Sequence, residues 1–183
     1  MSAVLHCAAG SGAVKVAGYC LDRGATVDDA VLRSIVHSLK TSDAVKSEAV
    51  YRILVDRNAV DVNYEMDRFG VMIGHAAKRG RHDLVRLLLE RGAHPDEEVE
   101  LEGHISTLAA AAQYSDAKMV GMLLDGGAKL KGTGALSAAT KHGNLDTMRL
   151  LLARGADVNE MGIITWDERS VLYAGSGKCL QFC

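Results

Sequence analysis

Aromatic residues are scarce in this chain: two Phe, five Tyr and one Trp among 183 residues, 4% in all. Apolar residues nevertheless reach 48%, so a sizeable core is available, built from Leu, Val, Ala, Met and Ile. Small aliphatic side chains suit helices packed closely side by side. Proline occurs once, at Pro95, which leaves long stretches free to be helical. No apolar run is long enough to span a bilayer. The opening "MSAVLHCAAG" has no positive region followed by an apolar stretch, so it does not read as a secretory signal. An excess of basic charge is also missing: the net charge is −2, which argues against a nucleic-acid partner. The four cysteines, Cys7, Cys20, Cys179 and Cys183, include no CxxC pair. They read as free cytosolic thiols, and a cytoplasmic location is expected, with the nucleus left open.

Catalytic signatures are missing too. "GSGK" ends at Lys178, but a phosphate loop needs a glycine five residues before the Gly-Lys pair and Ser or Thr after it; Leu172 and Cys179 stand there. The seven histidines form no HxxxH or HExxH, so His75 and His82 read as helix-terminus or rim histidines, not zinc ligands. Cys7 beside His6 suggests a nucleophile and base, but adjacent helical positions do not face each other. Cys7 is expected to face a neighbouring repeat and Cys20 to take a core position. No catalytic, cofactor-binding or metal-ligating residue is assigned, and no enzymatic activity is expected.

What the chain does have is a repeat. Leu-rich stretches end at Gly24, Asn58, Gly92, Gly127 and Gly155, separated by 34, 34, 35 and 28 residues. Upstream, the anchors Leu5, Ile73, Leu108 and Leu136 each precede their terminal glycine by 19 residues. In the second copy Leu32 precedes Asn58 by 26, an excess of 7, about two helical turns. The extra piece lies near "KTSDAVK", where Ser42 or Asp43 is expected to cap a lengthened second helix. The first half of each unit is rich in Ala. Gly12, Gly80, Ser115 and Gly143 mark a turn in the middle. The second half has helical apolar spacing, as in Leu84, Val85, Leu87 and Leu88. Arg23, Arg57, Arg91 and Arg154 sit near its end, complementing the helix C-terminus. The closing glycine, or Asn58, supplies the positive φ that stops the helix. Such a helix pair cannot cover its own apolar faces, so the pairs must stack into a solenoid.

At "GHAAKRGRHDLVRLLLERGAHPD" and "ALSAATKHGNLDTMRLLLARGADVN" the unit resembles the ankyrin repeat. The resemblance covers nearly the whole chain. The Thr-Pro pair that precedes the anchor in that family is absent, and only His6 holds the usual histidine after it. The resemblance implies an all-α solenoid of stacked helix-turn-helix repeats with β-hairpin fingers at the long connectors. It is read as one domain over 1–183, with repeats at about 3–29, 30–70, 71–105, 106–133 and 134–166 and a partial sixth at 167–183.

Connector lengths differ. Gly24 to Leu32 and Gly127 to Leu136 span 8 and 9 residues, too short for a finger; Asp28 or Asp29 and Thr133 are the expected caps. Asn58 to Ile73 and Gly92 to Leu108 span 15 and 16 and read as fingers. "EEVELEG" alternates Glu98, Glu100 and Glu102 with Val99 and Leu101. "VNYEMDRFG" sets Val62, Tyr64 and Met66 against Asn63, Glu65 and Asp67. A third long connector, after Gly155, carries Trp166.

The family resemblance implies that the two residues before each mid-repeat glycine line a concave face together with the fingers. Here these are Lys78 and Arg79, Gln113 and Tyr114, and Lys141 and His142, joined by Tyr64, Arg68, Glu98, Glu100 and Trp166. The expected role is protein–protein interaction through that face by a monomer, without cofactor, nucleic acid or membrane. The alternative is the sensor or regulatory part of a larger signalling protein, because a solenoid end normally needs a polar cap and "CLQFC" is not polar.

Overall fold

The structure is a computed structural model, and it describes residues 2–41, 43–67, 69–101 and 103–159, with 98–101 and 103–104 described by backbone alone. The Trp166 connector, the sixth repeat and "GSGK" lie outside the described residues, as does Arg68.

Five helix pairs follow one another. The inner helices are α1 (Ser2–Ser11), α3 (Asp29–Ser38), α5 (Met72–Lys78), α7 (Thr107–Tyr114) and α9 (Ala135–Lys141). The outer helices are α2 (Val14–Asp22), α4 (Ala44–Asp56), α6 (His82–Glu90), α8 (Ala117–Asp125) and α10 (Leu145–Ala153). Inner helices must tolerate a neighbour on both sides, and their buried residues are small: Ala8 and Ala9, Ala76 and Ala77, Ala109 to Ala112, Ala135 and Ala139. Alanine is also the best helix former. The outer helices bury larger groups beneath them, such as Leu84 and Leu88, Met119 and Leu123.

Each outer helix stops in the same way. The terminal N–H bonds three residues back and the next N–H five residues back: Gly92 to the Leu89 carbonyl, then Ala93 to Leu88. The same two bonds recur at Gly24, Asn58, Gly127 and Gly155. This is a Schellman stop, and it requires a left-handed residue. Asn58 at φ 52° is the only non-glycine with positive φ among the described residues.

The seven-residue excess lengthens α4 to 13 residues, against 9 in the other outer helices. Asp43 occupies its N-cap but makes no capping bond; its carboxylate instead accepts from Lys46 Nζ at 2.7 Å, and Ser42 is not described. Asp28 does cap α3, accepting from Val31 N at 3.0 Å. The N-cap of α9 is Gly134, one residue past Thr133, whose hydroxyl accepts from Ala135 N at 3.3 Å.

Fingers form only at the long connectors among the described residues. β1 (Glu65–Met66) pairs antiparallel with β2 (Gly70–Val71), and β3 (Glu98–Leu101) with β4 (Gly103–Ser106). The first finger is short, and its alternation fails at Tyr64: Val62 and Met66 are buried but Tyr64 is exposed. Substantial contacts between elements run within one repeat or between neighbouring repeats: α1 on α3, then α5, α7 and α9 in series. At the α3–α5 step the series thins, and α3 meets β1 there.

Candidate functional site

The inner helices end on one surface, and three repeats meet there through side chains. Lys78 closes α5 and holds its Nζ 4.3 Å from the centre of the Tyr114 ring, a cation–π contact. Tyr114, at the end of α7, faces the His142 ring at 5.5 Å and a 52° tilt. His142 caps α9, and its Nε2 lies 2.9 Å from Gln113 Nε2. The amide can only donate there, so His142 Nε2 accepts. Lys141 is exposed beside it. Lys78, Gln113, Tyr114 and His142 thus form one contact chain from the third repeat to the fifth.

Arg79 joins from below. It is half-buried, and burial pushes its guanidinium down from the usual arginine range. Its Nη1 donates to the His75 carbonyl at 3.0 Å and faces His75 Nδ1 at 3.3 Å. Of the two readings offered for His75, helix terminus or rim, it takes the first: it lies in the last turn of α5, yet it is 2% exposed and not on the rim. Its Nε2 donates to the Phe69 carbonyl at 2.6 Å, which fixes the proton on Nε2 and leaves Nδ1 to accept from Arg79. Burial lowers the His75 pKa to about 4, and the nearby charges of Arg79, Lys40 and Lys78 add to the effect. No spacing motif announces this residue. Its burial depends on the first finger bringing Phe69 over α5. Cys7 is misplaced by the sequence: it is exposed, whereas Cys20 is buried as expected.

The first finger is tied back to α3. Tyr64 donates its hydroxyl to Asp29 at 2.6 Å and Asp67 N donates to the other carboxylate oxygen at 3.2 Å. The Tyr64 bond holds Asp29 below the usual carboxylate range and raises the Tyr64 phenol. Tyr64 is therefore partly committed inside the molecule and stands apart from the Tyr114 chain. Glu98 and Glu100 lie in β3, paired with Ser106 and His104.

On the opposite side, an open groove of ≈ 480 Å³ runs between α4 and α6, past Val45, Arg52, Asp83 and Glu90. Its charges nearly balance. Among the described residues no group of three or more His, Cys, Asp or Glu could hold a metal ion. No helix among them is long and apolar enough to cross a membrane.

Residues 73–162 match the family model for ankyrin repeats, in three copies. A fowlpox virus (strain NVSL) ankyrin repeat protein, FPV031, is 29% identical over 102 residues. The match takes in 52% of this chain but only 30% of that protein. The crystal structure of the human ASB11 ankyrin repeat domain superimposes with a TM-score of 0.67 at 28% identity, covering 84% of this chain and 68% of that one. Ankyrin repeats in general serve as protein–protein interaction modules. With five helix pairs, the repeated Schellman stop and these matches together, the chain belongs to the ankyrin-repeat family.

Proposed function

We propose that this chain captures a partner protein on its concave surface, through the inner-helix ends and the fingers, and does no chemistry of its own. The observation that carries this reading is the contact chain Lys78–Tyr114–His142–Gln113 across three repeats. Tyr114 keeps 46% of its surface exposed within it, and Tyr and Arg are the residue types on which interfaces most often anchor. The family's typical lack of enzymatic activity supports the non-catalytic part. A monomer in the cytoplasm or nucleus is the setting this reading assumes.

The test is affinity capture with the intact chain beside Tyr114→Ala and Arg79→Ala, with a thermal melt of each. Tyr114→Ala should weaken capture at least about tenfold, as interface anchors do, while the melt shifts little. Variants that melt early while retaining the partner would place the binding face elsewhere.

A second reading makes the array the sensor or regulatory part of a larger signalling protein. It is favoured by the fowlpox match, which takes in only 30% of that protein. Sequencing the transcript on both sides of this reading frame decides it: continuous coding into another domain supports the reading, and flanking stop signals oppose it.

A further inference from the structure

We propose that the floor of the concave surface receives a carboxylate-rich peptide segment of the partner, with Arg79, Lys40 and Lys141 as its cationic contacts. This rests on the concave-surface reading above and names the chemistry of what sits there.

The first support is a sorting of charge. The inner helices and their caps carry Arg33, Lys78, Arg79 and Lys141 with His6, His37, His75 and His142, and their two acids, Asp28 and Asp29, both stand at the start of α3, where Asp28 is taken up in capping the helix. Asp29 is already occupied by Tyr64, the Asp67 amide and Arg33. Acids are plentiful elsewhere, for instance Asp56, Asp83, Glu90 and Asp125 on the outer helices. The floor is thus almost free of carboxylates although the whole chain is slightly acidic.

The second support is the state of Arg79. Arg33, Arg57, Arg81, Arg91 and Arg154 each sit against an Asp or Glu. Arg79 donates to a backbone carbonyl and a neutral imidazole instead. A half-buried guanidinium without a carboxylate has lost part of its hydration, and an incoming carboxylate restores it through charge-assisted bonds. Burial is the main cause of the lowered pKa of His75, and the charges of Arg79, Lys40 and Lys78, which gather around it, lower it further. The exposed Tyr114 ring offers the segment an apolar contact between these cations.

The surroundings favour a peptide over a nucleic acid. The first finger, which meets α3, carries the exposed Glu65 and Asp67. A continuous polyanion running past the finger would meet both, whereas a peptide can present carboxylates to the cations and other side chains to the finger.

Fluorescence anisotropy on the full chain tests the proposal. The probes are a labelled peptide of about twelve residues alternating Glu with Leu and Ser, its Gln counterpart, its Lys counterpart, and an oligothymidylate of similar length. The Glu peptide should bind at least about tenfold tighter than the Gln and Lys peptides, and weaken steeply between about 50 and 300 mM salt. Arg79→Gln should reduce that affinity about fivefold or more. Lys40→Gln with Lys141→Gln, both at exposed positions, should do the same with an unchanged melt, which covers the case that Arg79→Gln fails to fold. Arg52→Gln, on the outer side, should leave binding as it is. Glu and Gln peptides binding alike, an equal loss in Arg52→Gln, or oligothymidylate matching the Glu peptide would each overturn the proposal. If the Glu peptide fails while Tyr114→Ala still loses the captured partner, the concave surface stands and only the carboxylate reading falls. If Tyr114→Ala loses nothing either, both fall.

Discussion

Glycine does two different jobs in this chain, and single substitutions separate them. Gly12 and Gly24 both have positive φ, 68° and 78°. At Gly24 a Cβ would meet nothing within 4 Å, whereas at Gly12 it would lie 2.2 Å from Lys46 Cβ and 2.9 Å from the Lys46 carbonyl carbon. Gly24→Ala should therefore cost about 1 kcal/mol, the backbone part alone. Gly12→Ala should cost roughly 2–4 kcal/mol, because the start of the long α4 presses against the turn. Urea unfolding of the two variants checks this, and equal losses would contradict it. The φ requirement was legible from the sequence, where Asn58 took the one terminal position without glycine. The close approach at Gly12 was not, since Lys46 reaches it only through the packing of two repeats. His75 was hidden for the same reason. Its pKa is about 4 when folded against 6.5 ordinarily, so between these values the unfolded chain takes up a proton that the folded chain refuses. Stability should then fall as pH drops through that window, by about 2 kcal/mol from pH 7 to pH 5. His75→Gln should flatten this acid limb in urea titrations at the two pH values. An unaltered limb would show that other groups cause it.

Among the elements, the arginines near the ends of outer helices turn out to act between repeats. Arg57 donates to the Gly18 carbonyl and to Asp22 at the end of α2. Arg91 does the same to Val55 and Asp56 of α4, and Arg154 reaches Asp125 of α8. Each clasp satisfies a helix end of the preceding unit and sets its register. Arg23, at the end of α2, lies instead 4.7 Å from the Tyr19 ring centre. Between α6 and α8 the position is Gly126, and Leu89 fills the space, 2.9 Å from where a Cβ would be. The charge pattern was visible in "LDRGA" and "LERGA", but it suggested only an interaction with the helix's own terminus. The partners lie 29 to 39 residues away, beyond any within-helix rule. These pairs are exposed, so a double-mutant cycle on Arg57 and Asp22 should give a coupling of about 0–1 kcal/mol. A coupling well above that would mean the clasps carry the stack, a role assigned here to buried Leu and Ala. The first finger shows the opposite limit of legibility. Its alternation predicted a common face for Val62, Tyr64 and Met66, but Asp29 draws Tyr64 outward by a hydrogen bond.

For the whole molecule, neighbour-to-neighbour stacking was readable from the constant 19-residue spacing, because one spacing in four copies implies one repeated helix pair. The thinning at the α3–α5 step was announced only as seven extra residues, and their effect on packing depends on the finger that enters beside α3. A solenoid opens at its weakest interface. Native-state hydrogen exchange should therefore show α1–α4 and α5–α10 opening as separate units. A single global opening for all helices would oppose this. Of the proposed concave site, the residue pairs came from the family resemblance, whereas the contact chain through Tyr114 and the Arg79–His75 support required coordinates. The claim on which the functional account turns is that a partner lies along the inner-helix ends. Hydrogen exchange of the chain with its captured partner bound tests that most directly. The account predicts new protection over the ends of α5, α7 and α9, around Lys78, Tyr114 and Lys141, with α4 and α6 unchanged. Protection concentrated on α4 and α6 instead, with Tyr114 left exchanging as in the free chain, would contradict it.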